Sequence, residues 1–117
     1  MTESVLGCWI AHGEGQFSFK NRDVLQDLKE AKCIALRYVD DSSKQTEIYP
    51  MNANGSPEGI AGICSMDGRH LAMMPHPERC SEMFQWPYVP PEMHCQKSPW
   101  QAMFDEAYEW CVEHPRV

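Results

Sequence analysis

The chain has no block of basic residues, and Asp and Glu outnumber Lys and Arg by 17 to 10, leaving a formal net charge of −7 over 117 residues. Without a basic stripe to follow a phosphate backbone, nucleic acid is not an expected partner. A run of about 18 apolar residues is also missing, as are the basic and apolar regions of a secretory signal. The sequence therefore predicts a soluble, cytoplasmic protein with no membrane partner. Six cysteines are present, yet Cys8, Cys33, Cys64, Cys80, Cys95 and Cys111 are spread evenly and form no C-x-x-C pair, and the five histidines never fall in H-x-x-x-H. Free, mostly buried thiols are expected rather than a disulfide framework, and no metal site. Internal repeats and low-complexity tracts are absent too, which leaves one modest core.

Residues 5–11 are apolar enough for a strand and run into His12-Gly13-Glu14-Gly15, where two glycines around a charge suggest an exposed turn. The alternating Phe17 and Phe19 suggest a half-buried strand, after which Val24, Leu25, Leu28 and Ala31 change to helical spacing, predicting a helix over 22–32. Cys33 to Val39 reads as a strand, Asp40 to Lys44 as a turn and Thr46 to Tyr49 as a returning strand. Asn52 to Pro57 is loop chemistry. Two strand candidates, 60–65 and 70–74, flank Asp67-Gly68, a tight hairpin signal. Ser98 is a natural N-cap, Pro99 suits the first helical position and Gln101 completes a capping box. Trp100, Met103, Phe104, Ala107 and Cys111 then form one apolar stripe, expected to face the core, and His114-Pro115 stops the helix.

The chemistry concentrates in Pro75-His76-Pro77-Glu78-Arg79, just past a predicted strand. A residue preceding proline is pushed into extended conformations, where positions i and i+2 share a side, so His76 and Glu78 can face each other. An imidazole oriented by a carboxylate is the base of a nucleophilic centre that still needs a Ser or Cys. A catalytic Cys in an α/β enzyme sits on a glycine-flanked strand-to-helix elbow, and only Gly62-Ile63-Cys64 comes near that pattern. Met66 stands where the second glycine belongs, and the following Asp67-Gly68 leads into another strand, so Cys64 reads as a strand-end thiol. Cys80 cannot fold back onto His76 from the same segment. A zinc deaminase would share the H-x-E of His76 to Glu78, but no P-C-x-x-C follows.

Asn52 to Pro57, Gly59 to Gly62, Asp67 to Arg69, Met73 to Arg79 and Ser98 to Trp100, in this order, resemble the end of the phosphoribosylformylglycinamidine synthase family, glutamine-dependent enzymes of purine synthesis. The likeness also takes in Ala11 to Gly15 and Leu36 to Asp40 and so covers nearly the whole chain. It implies an α/β fold, the C-terminal half of a class I glutamine amidotransferase domain of flavodoxin-like, three-layer build. Such a domain releases ammonia from glutamine, its substrate, for a synthetase domain elsewhere. By the same resemblance His76 is the base and Glu78 its orienter, while His12, Asn54 and Ser56 are candidates for binding substrate. The family's Cys lies in a Gly-rich elbow upstream of everything in this chain. The implied partners are thus the upstream half of the domain and the synthetase domain, and ATP and magnesium belong to that synthetase domain, with no cofactor in this chain. Ala53 departs from the family, which commonly has proline there.

Each functional reading has a simpler rival. His76 could be a satisfied strand-end histidine and Glu78 a surface charge. His12 and Glu14 could form an ordinary turn, and Asn52, Asn54 and Ser56 could be bonded to backbone. Arg79 could pair with an acid or help to position the dyad. Trp86, Pro87, Tyr88, Pro90 and Pro91 suggest an irregular aromatic segment that covers core or meets the synthetase domain. The whole chain could be a truncated or repurposed partner-binding domain without turnover.

Overall fold

The computed structural model describes residues 4–89, 91, 93 and 97–115. Cys95 and Pro90 therefore lie outside the described residues. The chain divides into two compact units, one formed by the N-terminal segment up to Ile10 together with the chain from His76 onward, the other by Ala11–Pro75.

The Ala11–Pro75 unit holds helix α1 (Arg22–Glu30) and strands β1 (Ile34–Arg37), β2 (Ile60–Cys64) and β3 (Leu71–Met73). Asn21 caps α1 by accepting from Val24 N. The helix ends two residues before the expected boundary, because Lys32 takes a left-handed conformation (φ 55°). Lys32 N then donates to Lys29 O and Cys33 N to Leu28 O, the paired bonds of a Schellman cap formed here without glycine. Leu25 and Leu28 are half-buried while Val24 is exposed, so the α1 stripe is only partly covered.

The sheet is antiparallel in the order β1-β2-β3. Its β2–β3 hairpin pairs Gly62 with Met73 and Cys64 with Leu71. Asp67 closes the hairpin turn as expected: its Oδ1 accepts from Ser65 Oγ and Arg69 N, and Gly68 takes φ +69°. Ile60 and Ala61, on the central strand, are buried with Cys33. Cys64, half-buried at the end of β2, is a strand thiol and stands on no elbow.

Three expected strands do not form. Residues 5–11 and 16–19 carry no regular strand pairing, and the return after Asp40 is reduced to one bridge between Val39 and Gln45. The reason for the last is local. Thr46 O is engaged by Asn52 Nδ2 and Ile48 O by Asn52 N, so the carbonyls of a would-be strand point back into the following loop. Gly59 sets the entry to β2. Its φ of +64° and the approach of Thr46 O and Tyr38 O to 3.0 Å from where a Cβ would stand leave room for glycine alone.

In the other unit, α2 (Pro99–Glu113) starts at Ser98, whose hydroxyl accepts from Trp100 N. The capping box expected from Gln101 is not made, since its amide turns forward to Asp105. The buried members among the described residues are Pro77, Cys80, Trp86, Ser98 and Trp100. The apolar stripe of α2 departs from its expected place in the core. Met103 is half-buried, whereas Phe104, Ala107 and Cys111 are exposed, with Tyr108, Trp110 and Val112 beside them. Beyond its first turn most of the apolar side chains of this helix are exposed. Trp86 covers core as the sequence suggested, while Pro87 and Tyr88 are exposed.

The fold is thus a small α/β arrangement of two helices and a three-stranded antiparallel sheet among the described residues. No helix among them is long and apolar enough to cross a membrane.

Candidate active site

Pro77 to Arg79 form a single 3-10 turn closed by Arg79 N donating to His76 O and Cys80 N to Pro77 O. The extended backbone at His76 (φ −111°, ψ 83°) feeds into this turn and brings the two side chains together, with His76 Nδ1 2.6 Å from Glu78 Oε1. The hydrogen bond from His76 holds the Glu78 carboxyl below its ordinary value of 4.5. With Nδ1 committed to the carboxylate, Nε2 is the ring atom left to act on a substrate or nucleophile. The pair is only half-covered, His76 being 34% and Glu78 56% exposed.

The sign of its pH dependence follows from the lowered carboxyl. A group whose folded value lies below its unfolded one contributes stability above pH 4.5 and loses it as the pH falls through the folded value. Carboxyl-detected NMR should accordingly show Glu78 titrating below 4.5 and moving back toward 4.5 in His76→Ala. An unchanged midpoint in that variant would mean that the 2.6 Å contact does not set the shift.

The turn is anchored at both ends. His76 N donates to Trp9 O (2.8 Å), and Cys80 O accepts from Trp86 Nε1 (2.9 Å) and from Ser98 Oγ. Trp9 is itself tied through its indole to Gln85 O, and Trp100 donates to Gly7 O. Residues 7–9 are therefore held by hydrogen bonds from three indole or amide donors, which the apolar pattern mistook for strand pairing.

This arrangement brings Cys8 beside the dyad, a placement with no signal in the sequence. Burial pushes the Cys8 thiol up to about 12; the neighbouring Cys80, which shares a hydrogen bond with it, and the Glu78 charge add to the rise, while the His76 backbone N–H opposes it. A thiol so shifted stays protonated at neutral pH and is a poor nucleophile. Cys80 is fully buried. Among the described residues no thiol is hydrogen-bonded to the His76 ring, and no group of three or more His, Cys, Asp and Glu side chains is arranged to hold a metal.

The remaining candidates, His12, Asn54 and Ser56, lie in the Ala11–Pro75 unit. Gly13 (φ +53°) and the bond from Gly15 N to His12 O make the expected exposed turn. Asn54 Nδ2 clamps it, donating to Gly13 O (2.6 Å) and Gly15 O (2.8 Å). Ser56 is buried, its hydroxyl donating to Ile60 O and accepting from Phe17 N. The polar side chains of this loop are thus bonded to backbone, the simpler of the two expectations for them. His12 is different. Its Nδ1 is buried without a hydrogen-bond partner. An orphaned ring nitrogen costs free energy unless a ligand or water meets it.

Residues 1–111 match the CobB/CobQ-like glutamine amidotransferase domain. The chain is also 57% identical over 117 residues to phosphoribosylformylglycinamidine synthase of Drosophila melanogaster, covering 97% of this chain and 9% of that protein. It is 52% identical over 113 residues to the probable chloroplastic/mitochondrial phosphoribosylformylglycinamidine synthase of Arabidopsis thaliana, covering 94% of this chain and 8% of the relative. With the Homo sapiens phosphoribosylformylglycinamidine synthase the identity is 45% over 114 residues, covering 97% of this chain and 8% of the relative. The chain spans less than a tenth of the length of each of these three relatives.

Proposed function

We propose a reaction for this chain from one premise: it belongs to the CobB/CobQ-like glutamine amidotransferase domain family. The chain would supply the C-terminal part of the glutaminase domain of a phosphoribosylformylglycinamidine synthase, a domain of three-layer α/β build when whole. Ammonia released there would convert formylglycinamide ribonucleotide to formylglycinamidine ribonucleotide in purine biosynthesis. ATP and magnesium would be held by the synthetase domain rather than by this chain. The observation that carries the reading is the 2.6 Å His76–Glu78 contact, which engages Nδ1 and leaves Nε2 as the ring atom to face a substrate or nucleophile.

In the proposed chemistry a thiol from outside residues 1–117 attacks the glutamine amide carbon. His76 Nε2 takes the thiol proton, and the C–N bond breaks as the same proton passes to the leaving ammonia. A thioester remains, which water hydrolyses to glutamate while the thiol is restored. Glu78 keeps the ring in the productive tautomer and balances the transient imidazolium charge. His12 would bind substrate, as the resemblance implies. Asn54 and Ser56 would serve it through the turn and loop that they hold.

The exposed apolar side chains of α2 support the proposed partners, the upstream half of the domain and the synthetase domain, because a face this apolar on a helix is ordinarily covered. A cytoplasmic location is supported by the five described cysteines, all free thiols, which suit a reducing compartment.

The isolated chain is expected to release no ammonia from glutamine, since among the described residues Cys8 is shifted, Cys80 is buried, Cys64 is strand-bound and no thiol is hydrogen-bonded to the His76 ring. Steady ammonia release by purified chain, abolished by Cys64→Ala, would overturn this and make Cys64 the nucleophile. A stable chain that binds a partner yet gains no glutaminase activity on addition of the upstream half would favour the non-catalytic alternative.

A further inference from the structure

We infer that Ser98 is a positioning residue for the His76–Glu78 pair, acting through the Cys80 carbonyl. This rests on the glutaminase reading above. Glu78 is more than half exposed, so little packing fixes its rotamer. Its place depends on the backbone of the Pro77–Arg79 turn, and a lone 3-10 turn has too few and too poorly aligned hydrogen bonds to fix itself. One end is held by the bond from His76 N to Trp9 O. The other is held at Cys80 O, where Ser98 Oγ and Trp86 Nε1 converge.

Ser98 is suited to this by doing three things with one buried hydroxyl. It donates to Cys80 O, accepts from Trp86 Nε1 at 2.8 Å, and accepts from Trp100 N at 3.2 Å as the N-cap of α2. The first turn of α2 and the dyad turn thereby share one oxygen atom, though 18 residues separate the two bonded positions. A residue without a hydroxyl leaves Cys80 O with the indole alone, and Trp86 Nε1 loses its second acceptor. The turn then gains freedom at the end nearer Glu78. Catalysis feels such freedom strongly, since a displacement of about 1 Å in a reacting group can cost on the order of 10²-fold.

The test uses the complete polypeptide that carries the glutaminase and synthetase activities, with Ser98→Gly and Ser98→Thr. Glycine is tolerated at an N-cap but has no donor, whereas threonine keeps both. Ser98→Gly is expected to lower glutamine-dependent kcat about tenfold, leaving KM for glutamine and the rate with ammonium as nitrogen donor within about twofold of the parent. Ser98→Thr should restore kcat. An unchanged kcat in Ser98→Gly, or an equal fall in the glutamine and ammonium rates, overturns the inference, the second outcome being loss of folded protein alone. His76→Ala is assayed in parallel. If glutamine-dependent turnover survives that change, the glutaminase reading itself fails and the inference with it. If His76→Ala loses glutamine-dependent turnover while Ser98→Gly is unimpaired, only the role of Ser98 is refuted.

Discussion

Replacing His76 by alanine in the complete polypeptide is expected to lower glutamine-dependent turnover about 10³-fold while the ammonium-driven rate stays close to that of the parent. General acid–base catalysis by one positioned side chain is worth about 10² to 10⁴. His76 would act twice, first on the attacking thiol and then on the departing ammonia, which places the loss in the middle of that range or above. Glu78→Gln should lose less than His76→Ala, because the imidazole remains and only its orientation and charge balance suffer. The split between nitrogen donors is the decisive readout. A fall in both rates would mean that His76 supports the fold, and full glutamine activity in His76→Ala would remove the dyad from the reaction. The same comparison can be made by adding the upstream half of the domain to this chain, with and without the substitution.

The dyad was legible because its geometry is local. The pre-proline position keeps His76 out of the helical region as expected, but the pair does not sit on one side of an extended strand: Pro77 to Arg79 fold into a 3-10 turn, and that turn brings the side chains to 2.6 Å. The β2–β3 hairpin and the start of α2 were legible for the same reason, since Asp67-Gly68 and Ser98 act on backbone within a few residues of themselves, whereas the start of α1 followed from apolar spacing and its Asn21 cap was not foreseen. What the sequence concealed depends on distant partners. The anchoring of Cys80 by Ser98, 18 residues on, and the seating of Cys8 beside the dyad come from segments far apart in the chain. The strand expected at 46–49 failed because periodicity counts side chains and takes no account of an asparagine that captures backbone carbonyls. Of the α2 stripe Trp100 is buried and Met103 half-buried, but Phe104, Ala107 and Cys111 stay exposed. Periodicity identifies a face and leaves open what covers it.

Asn52 carries the largest expected stability effect outside the dyad. It is 1% exposed, and its side chain makes three bonds: Nδ2 to Thr46 O (3.0 Å) and Ser56 O (2.9 Å), and Oδ1 from Ser56 N (2.9 Å). Asn52→Ala strands all three backbone groups. Leaving a buried polar group unsatisfied costs about 1–3 kcal/mol, and water can reach some of these atoms once the side chain is gone, so a total loss of about 3 kcal/mol is expected. Asn52→Asp is the sharper probe. It keeps the acceptor for Ser56 N but sets a carboxylate oxygen against two carbonyls, so it should cost at least as much as alanine despite its nearly identical shape. Asn54→Ala offers the contrast, because Asn54 is only half-buried and its bonds clamp the His12–Gly15 turn rather than the loop interior. That change should leave the urea midpoint nearly unmoved and act instead on KM for glutamine in the complete polypeptide. The comparison is made by urea unfolding at constant m-value. A midpoint shift in Asn52→Ala worth less than about 0.5 kcal/mol would place it among ordinary surface substitutions. The buried amide would then not be what holds the loop before β2 in place.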